Sequence, residues 1–100
     1  MIRDFAKVIA ALSPEPGVNK GRMFGAEGLK VGKQVFAMEV KGKLVAKVSE
    51  ERAAQLRRSG KAEAFDPGHG RMMKQWVAVS RNAQVDWLEL SREALEFVRG

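Results

Sequence analysis

The chain has 100 residues, of which 45% are hydrophobic, and this size fits one globular domain with a single core over residues 1–100. It contains no cysteine, which excludes disulfides, thiol nucleophiles and thiolate metal sites and is compatible with a reducing compartment, and the cytoplasm is the default expectation. The net charge of +6 is uneven, because residues 1–48 hold nine Lys or Arg against four Asp or Glu and residues 49–100 hold nine against eight.

A helix is predicted over about residues 3–12, followed by a Pro/Gly-rich connection over residues 14–21. Ser13 and Pro14 end the helical pattern, and charged residues interrupt its apolar run. The run therefore matches neither a signal sequence nor a membrane span, and no membrane partner is expected. Its apolar residues at helical spacing are Phe5, Val8, Ile9 and Leu12.

Residues 22–48 predict three consecutive β-strands that form a meander. The first strand is expected from about Arg22 to Val31. It should be bent or bulged at Gly25 or Gly28, because glycine inside a strand pattern often marks such a site.

The first turn of this meander fixes a register between its first two strands. Gly32 at the first central position suits a two-residue type II′ turn. Such a turn pairs Val31 with Gln34 and Leu29 with Phe36, which places their apolar side chains on one face.

The second turn of the meander can be interpreted as a loop of two or of three residues. A two-residue loop at Lys41 and Gly42 would place Val40 beside Lys43 and send the apolar residues of the third strand to the other face. A three-residue loop ending at Lys43, or a bulge, restores a continuous apolar face, and we favour the longer loop. The predicted core face then comprises Leu29, Val31, Phe36, Met38, Val40, Leu44, Ala46 and Val48.

The second half of the chain predicts a helix followed by a hairpin. Ser49 is expected to cap a helix over about residues 50–59 that ends at Gly60. The two strands of the hairpin are expected over about residues 62–65 and 72–79.

A final helix is predicted to begin after Asp86, because Glu89 three residues later completes a capping-box pattern, and to reach about Arg99. The element order is α-β-β-β-α-β-β-α. It predicts an α+β fold with two layers and an antiparallel sheet.

Two separated motifs give the chain a family resemblance: Arg-Met-Phe-Gly at residues 22–25 and Met-Lys-Gln-Trp-Val at residues 73–77. In this order and spacing they resemble the N-terminal domain of the TfoX/Sxy competence-regulator family, over nearly the whole chain. The resemblance implies a fold similar in outline to secretion-chaperone-like folds and a role linked to transcription regulation. The sequence ends at Gly100 without the C-terminal domain of the longer family members, so a stand-alone domain is expected.

Catalytic patterns are scarce. His69 is the sole histidine, and neither a Ser-His-Asp spacing nor a histidine metal motif occurs, so no enzyme activity, cofactor or metal is expected. Asp66 with His69 has the residue types of a carboxylate–imidazole pair, but a solvated Asp-Pro-Gly turn explains the same residues. Residues 68–74 carry a weak pattern for anion binding, with two glycines, Arg71 and Lys74.

The leading functional hypothesis is a non-catalytic module that docks a protein partner or a second copy of itself. Helices cover one face of the predicted sheet, and the other should expose Val35, Ala37 and Val45 beside Trp76. The alternative is a nucleic-acid-associated regulator that uses the basic meander. The candidate contact residues are Arg22, Lys30, Lys33, Val35, Lys41, Lys43, Val45, Lys47 and Trp76.

Overall fold

The fold is an antiparallel sheet with helices on one face. The computed structural model describes residues 1–23, 25–66 and 73–100. Six strands lie in the order β1-β2-β3-β4-β6-β5, and every neighbouring pair is antiparallel, which confirms the predicted α+β class. The elements are α1 (Phe5–Leu12), β1 (Val18–Met23), β2 (Ala26–Val31), β3 (Gln34–Val40), β4 (Lys43–Lys47), α2 (Glu50–Arg58), β5 (Glu63–Phe65), β6 (Met73–Val79) and α3 (Trp87–Arg99).

The three helices of the described chain begin at side-chain caps and pack on the same side of the sheet. The carboxylate of Asp4 and the hydroxyl of Ser49 accept from backbone N–H groups of α1 and α2, and Asp86 accepts from the first turn of α3. The caps at Ser49 and Asp86 confirm the prediction, whereas α1 begins at Phe5 because Asp4 is its cap. Helix α3 packs on β3, β4 and α1, and α2 packs on β6 and β5.

These contacts define two sides of the sheet. We call the side under the helices the helix face and the opposite side the outer face. The main core lies on the helix face and includes Phe36, Leu44, Trp87 and Leu95, each no more than 1% exposed. No helix in the described part of the chain is long and apolar enough to cross a membrane.

The predicted first strand is wrong, because the structure divides it into a hairpin. Met23 pairs with Ala26, and Gly25 adopts a φ of 75°, which glycine reaches without strain. The Arg-Met-Phe-Gly motif therefore ends β1 and leads into a turn, while Phe24 lies outside the described residues. The connection predicted over residues 14–21 contains the start of β1. Its strand signal is weak, since Val18 and Met23 are the only apolar residues of β1.

The register of β2 and β3 follows the prediction only at the turn. Val31 pairs with Gln34 as predicted, but Leu29 pairs with Ala37 and not with Phe36. The register shifts between Leu29 and Lys30, so that β3 contains one extra residue there. Because of this bulge, Phe36 and Ala37 both join the main core.

The favoured three-residue loop between β3 and β4 is also wrong. Val40 pairs with Lys43, so the turn consists of Lys41 and Gly42, with φ values of 53° and 79°. Positive φ at both positions is the signature of a type I′ turn. The extra residue in β3 reverses which face the following side chains occupy, as a longer loop would have done for β4. Met38 and Val40 consequently lie on the outer face with the second apolar cluster.

Candidate interaction surface

The outer face has an apolar centre. Trp76 packs against Phe65 with ring centroids 6.4 Å apart, and both belong to a buried cluster with strand residues from the middle of the sheet. This cluster consists of Met38, Val45, Phe65, Trp76 and Ala78, and the half-buried residues packed around it are Met23, Ala26, Val35, Val40 and Met73.

The predicted exposure of this centre is wrong. Val45 is 1% exposed and Trp76 is 4% exposed, while Val35 is half-buried. Phe65 contributes to this burial, because its ring packs against Trp76 from the neighbouring strand β5. Ala37 is fully buried in the main core, so it does not belong to the outer face at all.

Three predicted lysines frame the apolar centre. Across neighbouring strands, Lys30 pairs with Val35, Lys43 with Val40 and Lys47 with Trp76. Directly opposed residues in a sheet share a face, so each lysine lies beside an apolar side chain of the outer face. All three lysines are half-buried. Long lysine stems cover apolar surface while the ammonium group stays in water, which gives the outer face a positive rim.

The other predicted basic residues lie elsewhere. Lys33 is exposed in the turn between β2 and β3, and Lys41 is exposed in the next turn, at the opposite end of the strands. Arg22 is exposed on β1, where strand alternation from the buried Val18 places its side chain on the helix-face side. The structure thus brings together Lys30, Val35, Lys43, Val45, Lys47 and Trp76 on the outer face and leaves Arg22, Lys33 and Lys41 outside it.

Few carboxylates neutralise the bases of β1 to β4. Lys43 pairs with Glu63 at 2.5 Å, and Glu39 is engaged by Arg81 at 3.4 Å. Glu27 contacts none of the bases closely enough to form an ion pair within the described chain. Six bases of this region make no ion pair with a described residue, namely Lys20, Arg22, Lys30, Lys33, Lys41 and Lys47.

Lys20 is a basic residue that the sequence reasoning did not include among the candidate contacts. It is exposed on β1, two residues before Arg22, so both side chains lie on the same side of the sheet. The alternation of Lys20 and Arg22 around Gly21 is the sequence pattern that indicates two basic side chains on one side of a strand. Assigning residues 14–21 to a loop concealed it.

The predicted loop sites fall partly outside the described residues. His69, Arg71 and the two glycines of the anion-binding pattern lie in the range 67–72, which the structure does not describe. Lys74 is exposed and lines an open cleft along α2. The cleft is also lined by Glu50 and Glu51, so its lining is of mixed charge. Among the described residues, no group of three or more His, Cys, Asp or Glu is arranged to hold a metal ion.

The family assignment rests on a comparison with protein-family models. The model of the TfoX N-terminal domain matches residues 10–98, which include every strand described above, the end of α1, all of α2 and nearly all of α3. The chain belongs to the TfoX N-terminal domain family. This confirms the resemblance seen in the two motifs. No curated protein and no solved structure gave a match. In this TfoX N-terminal domain the second motif lies in β6, where its tryptophan, Trp76, forms part of the outer-face cluster.

Proposed function

We propose that this TfoX N-terminal domain is a non-catalytic interaction module, similar in role to competence regulators, whose outer face binds another protein. The observation that supports the proposal best is the cross-strand pairing of Lys30, Lys43 and Lys47 with apolar residues of that face. The half-buried Val35 and Val40 beside these lysines leave apolar surface next to a polar rim, an arrangement found at protein interfaces.

The arrangement favours a partner with an acidic rim. Lys30 and Lys47 have no ion-pair partner in the described chain, so a carboxylate that approaches them need not displace one. Complementary charge speeds association and selects among partners. The half-buried Val35 and Val40 supply apolar area that contact would remove from water.

A second copy of the chain is a poorer occupant than an acidic protein. In a two-fold dimer each contact surface meets its own copy, so the lysines of one rim would face the lysines of the other. Like charges placed opposite each other cost several kcal/mol at an interface. The net charge of +6 adds a general repulsion between copies.

The test compares two charge-reversal variants with the same net charge. In the first, Lys30→Glu is combined with Lys47→Glu on the outer face; in the second, Lys33→Glu is combined with Lys41→Glu in the turns. Tagged chains are used for quantitative affinity capture after nuclease treatment, and thermal unfolding checks that both variants fold. We expect the outer-face variant to capture at least about tenfold less of its partner protein, because rim charges govern encounter and pairing.

The matched turn variant should retain the same protein at close to the original level. Equal capture by both variants would contradict the proposal, as would capture that disappears when nuclease removes nucleic acid. If light scattering showed a discrete homodimer, a second copy of the chain would be the occupant of the outer face, and the proposal of a different partner protein would be wrong.

Nucleic-acid binding is the second candidate function, and the six bases without described ion-pair partners favour it. Phosphate contacts of this kind make log affinity fall with log salt by about 0.9 per phosphate contacted on duplex DNA. A fluorescent duplex titrated at several salt concentrations measures that slope. In this case both charge-reversal variants should bind more weakly, since phosphate contacts are spread over all basic residues and carry little geometric selectivity.

A further inference from the structure

Strand β1 forms one edge of the sheet, and its outward backbone groups can be identified. The N–H of Val18 donates to the carbonyl of Glu15 at 3.1 Å, so it does not donate to β2. In an antiparallel ladder, alternate residues direct their N–H and C=O groups to the same side of the strand. The backbone groups of Lys20 and Arg22 therefore point away from β2, toward the open side of the edge.

The same two residues carry the charge of this edge. Lys20 and Arg22 are exposed, and neither forms an ion pair with a described residue. Gly21 lies between them without a side chain. The edge thus combines backbone groups that point away from β2 with two cations at a spacing of two residues, which is the side-chain period of a strand.

We propose that β1 binds an extended acidic segment of a partner protein as an added strand. Main-chain hydrogen bonds to Lys20 and Arg22 would supply affinity, and the alternate side chains of the segment would supply specificity. In an added antiparallel strand, the residues directly opposite Lys20 and Arg22 share their side of the sheet. The preferred segment therefore carries Asp or Glu at two positions separated by one residue.

Charge selects this occupant over a second copy of β1. Two antiparallel β1 strands would bring Lys20 and Arg22 of one copy beside the same cations of the other, and like charges in cross-strand positions are destabilising. Basic residues on an edge strand discourage self-pairing for this reason. The same residues attract an acidic strand. The inference goes beyond the proposed function, since it concerns the sheet edge and not the lysines of the outer face.

The probe is a fluorescein-labelled seven-residue peptide with the sequence Thr-Glu-Thr-Glu-Thr-Glu-Thr, titrated with the full chain at low salt by fluorescence anisotropy. Amide chemical shifts of the labelled protein locate the bound peptide. We expect saturable binding with the largest shifts at residues 18–23. Absence of binding up to about millimolar concentrations, or shifts concentrated elsewhere, would overturn the proposal.

Two modified peptides separate strand addition from simple charge attraction. Methylation of the backbone nitrogens of the Glu residues removes the donors that face β1 but keeps the charge. Methylation at the Thr residues instead alters nitrogens that face away from β1. We expect the first change to weaken binding at least about tenfold more than the second. Equal binding of both peptides would reduce the interaction to charge attraction and overturn the proposal.

Matched protein variants assign the binding to the edge. Lys20→Glu combined with Arg22→Glu should abolish peptide binding, whereas Lys33→Glu combined with Lys41→Glu makes the same change in net charge and should leave most of it. Equal loss in both would contradict edge recognition. The outer-face variant with Lys30→Glu and Lys47→Glu should still bind the peptide, so failure of the proposed function and failure of this inference give different results.

Discussion

Gly21 and Gly28 face each other across β1 and β2, but their surroundings differ. A Cβ built on Gly28 would lie 2.5 Å from the carbonyl oxygen of Ala37 and 2.9 Å from the Cβ of Met38. The atoms nearest to a Cβ built on Gly21 belong to the side chain of Lys30, with its Cδ at 3.1 Å. Backbone and a buried Cβ cannot move aside as a flexible lysine stem can, so only Gly28 is required by close packing.

This difference predicts unequal costs for the same substitution. Gly28→Ala should lower the free energy of unfolding by about 1–3 kcal/mol, because the added methyl group forces β2 and β3 apart. Gly21→Ala should change it by less than about 1 kcal/mol, since Lys30 can shift and alanine reduces the entropy of the unfolded chain. Urea denaturation of both variants measures the two values. Equal costs would show that the sheet around Gly28 relaxes more than its packing indicates.

Among the elements, the two turns that flank β3 solve the same problem with different residues. Between β2 and β3 the residue with positive φ is Gly32, whereas between β3 and β4 the positive φ of 53° falls on Lys41. Lys41 is the one residue other than glycine in the described chain with positive φ. A side chain at this position is strained, and asparagine followed by glycine is the preferred pair for such a turn.

Lys41→Asn is therefore expected to raise the free energy of unfolding by about 0.5–1 kcal/mol, because asparagine avoids part of the roughly 1–3 kcal/mol that the left-handed conformation costs. Lys33→Asn is the matched control, because it removes the same charge from a turn residue whose φ is not positive. Chemical denaturation of the two variants tests the difference. A similar gain in both would assign the effect to reduced charge repulsion.

The sequence predicted elements with strong local signals. Ser49 and Asp86 were identified as caps, because a cap is a local pattern of side chain and backbone. The face of each β4 residue was also predicted correctly, with Leu44 and Ala46 in the main core and Val45 on the outer face.

The phase of β3 could not be predicted, since a bulge leaves no pattern in the alternation of Phe36, Ala37 and Met38. Two apolar residues in succession are compatible with either face, and the choice depends on pairing with β2. The candidate surface could likewise be predicted only in part. The lysines of the outer face follow from alternation, whereas the burial of Trp76 depends on its contact with Phe65 from another strand.

In the whole molecule, positive charge is concentrated in the first half of the chain. Residues 1–48 contain nine bases and four acids, and β1 to β4 adjoin one another in the sheet. Ion pairs elsewhere join separate elements, such as Arg52 of α2 with Glu93 of α3 at 2.8 Å. Folding thus gathers the unneutralised bases on one half of the sheet.

Mutual repulsion of these bases predicts that salt stabilises the fold. Raising sodium chloride from about 0.1 M to about 1 M shortens the screening length from about 10 Å to about 3 Å and should raise the Tm by a few degrees. A variant with Lys20→Gln, Lys30→Gln and Lys33→Gln should respond less, since it carries fewer of the repelling charges. Thermal unfolding at several salt concentrations checks both. An identical response in the variant would attribute the effect to general salting-out.

The bond from the N–H of Val18 to Glu15 also limits how strongly the β1 edge can hold a ligand. With that donor already used, Lys20 and Arg22 remain, and an added strand gains about four backbone hydrogen bonds at about 0.5–1.5 kcal/mol net each. Such sums, about 2–6 kcal/mol, correspond to dissociation constants from tens of millimolar down to tens of micromolar, before any gain from the paired charges. A segment bound there would dissociate within about milliseconds. Longer residence would require a second, simultaneous contact that raises the effective concentration of the segment, as in bivalent recognition.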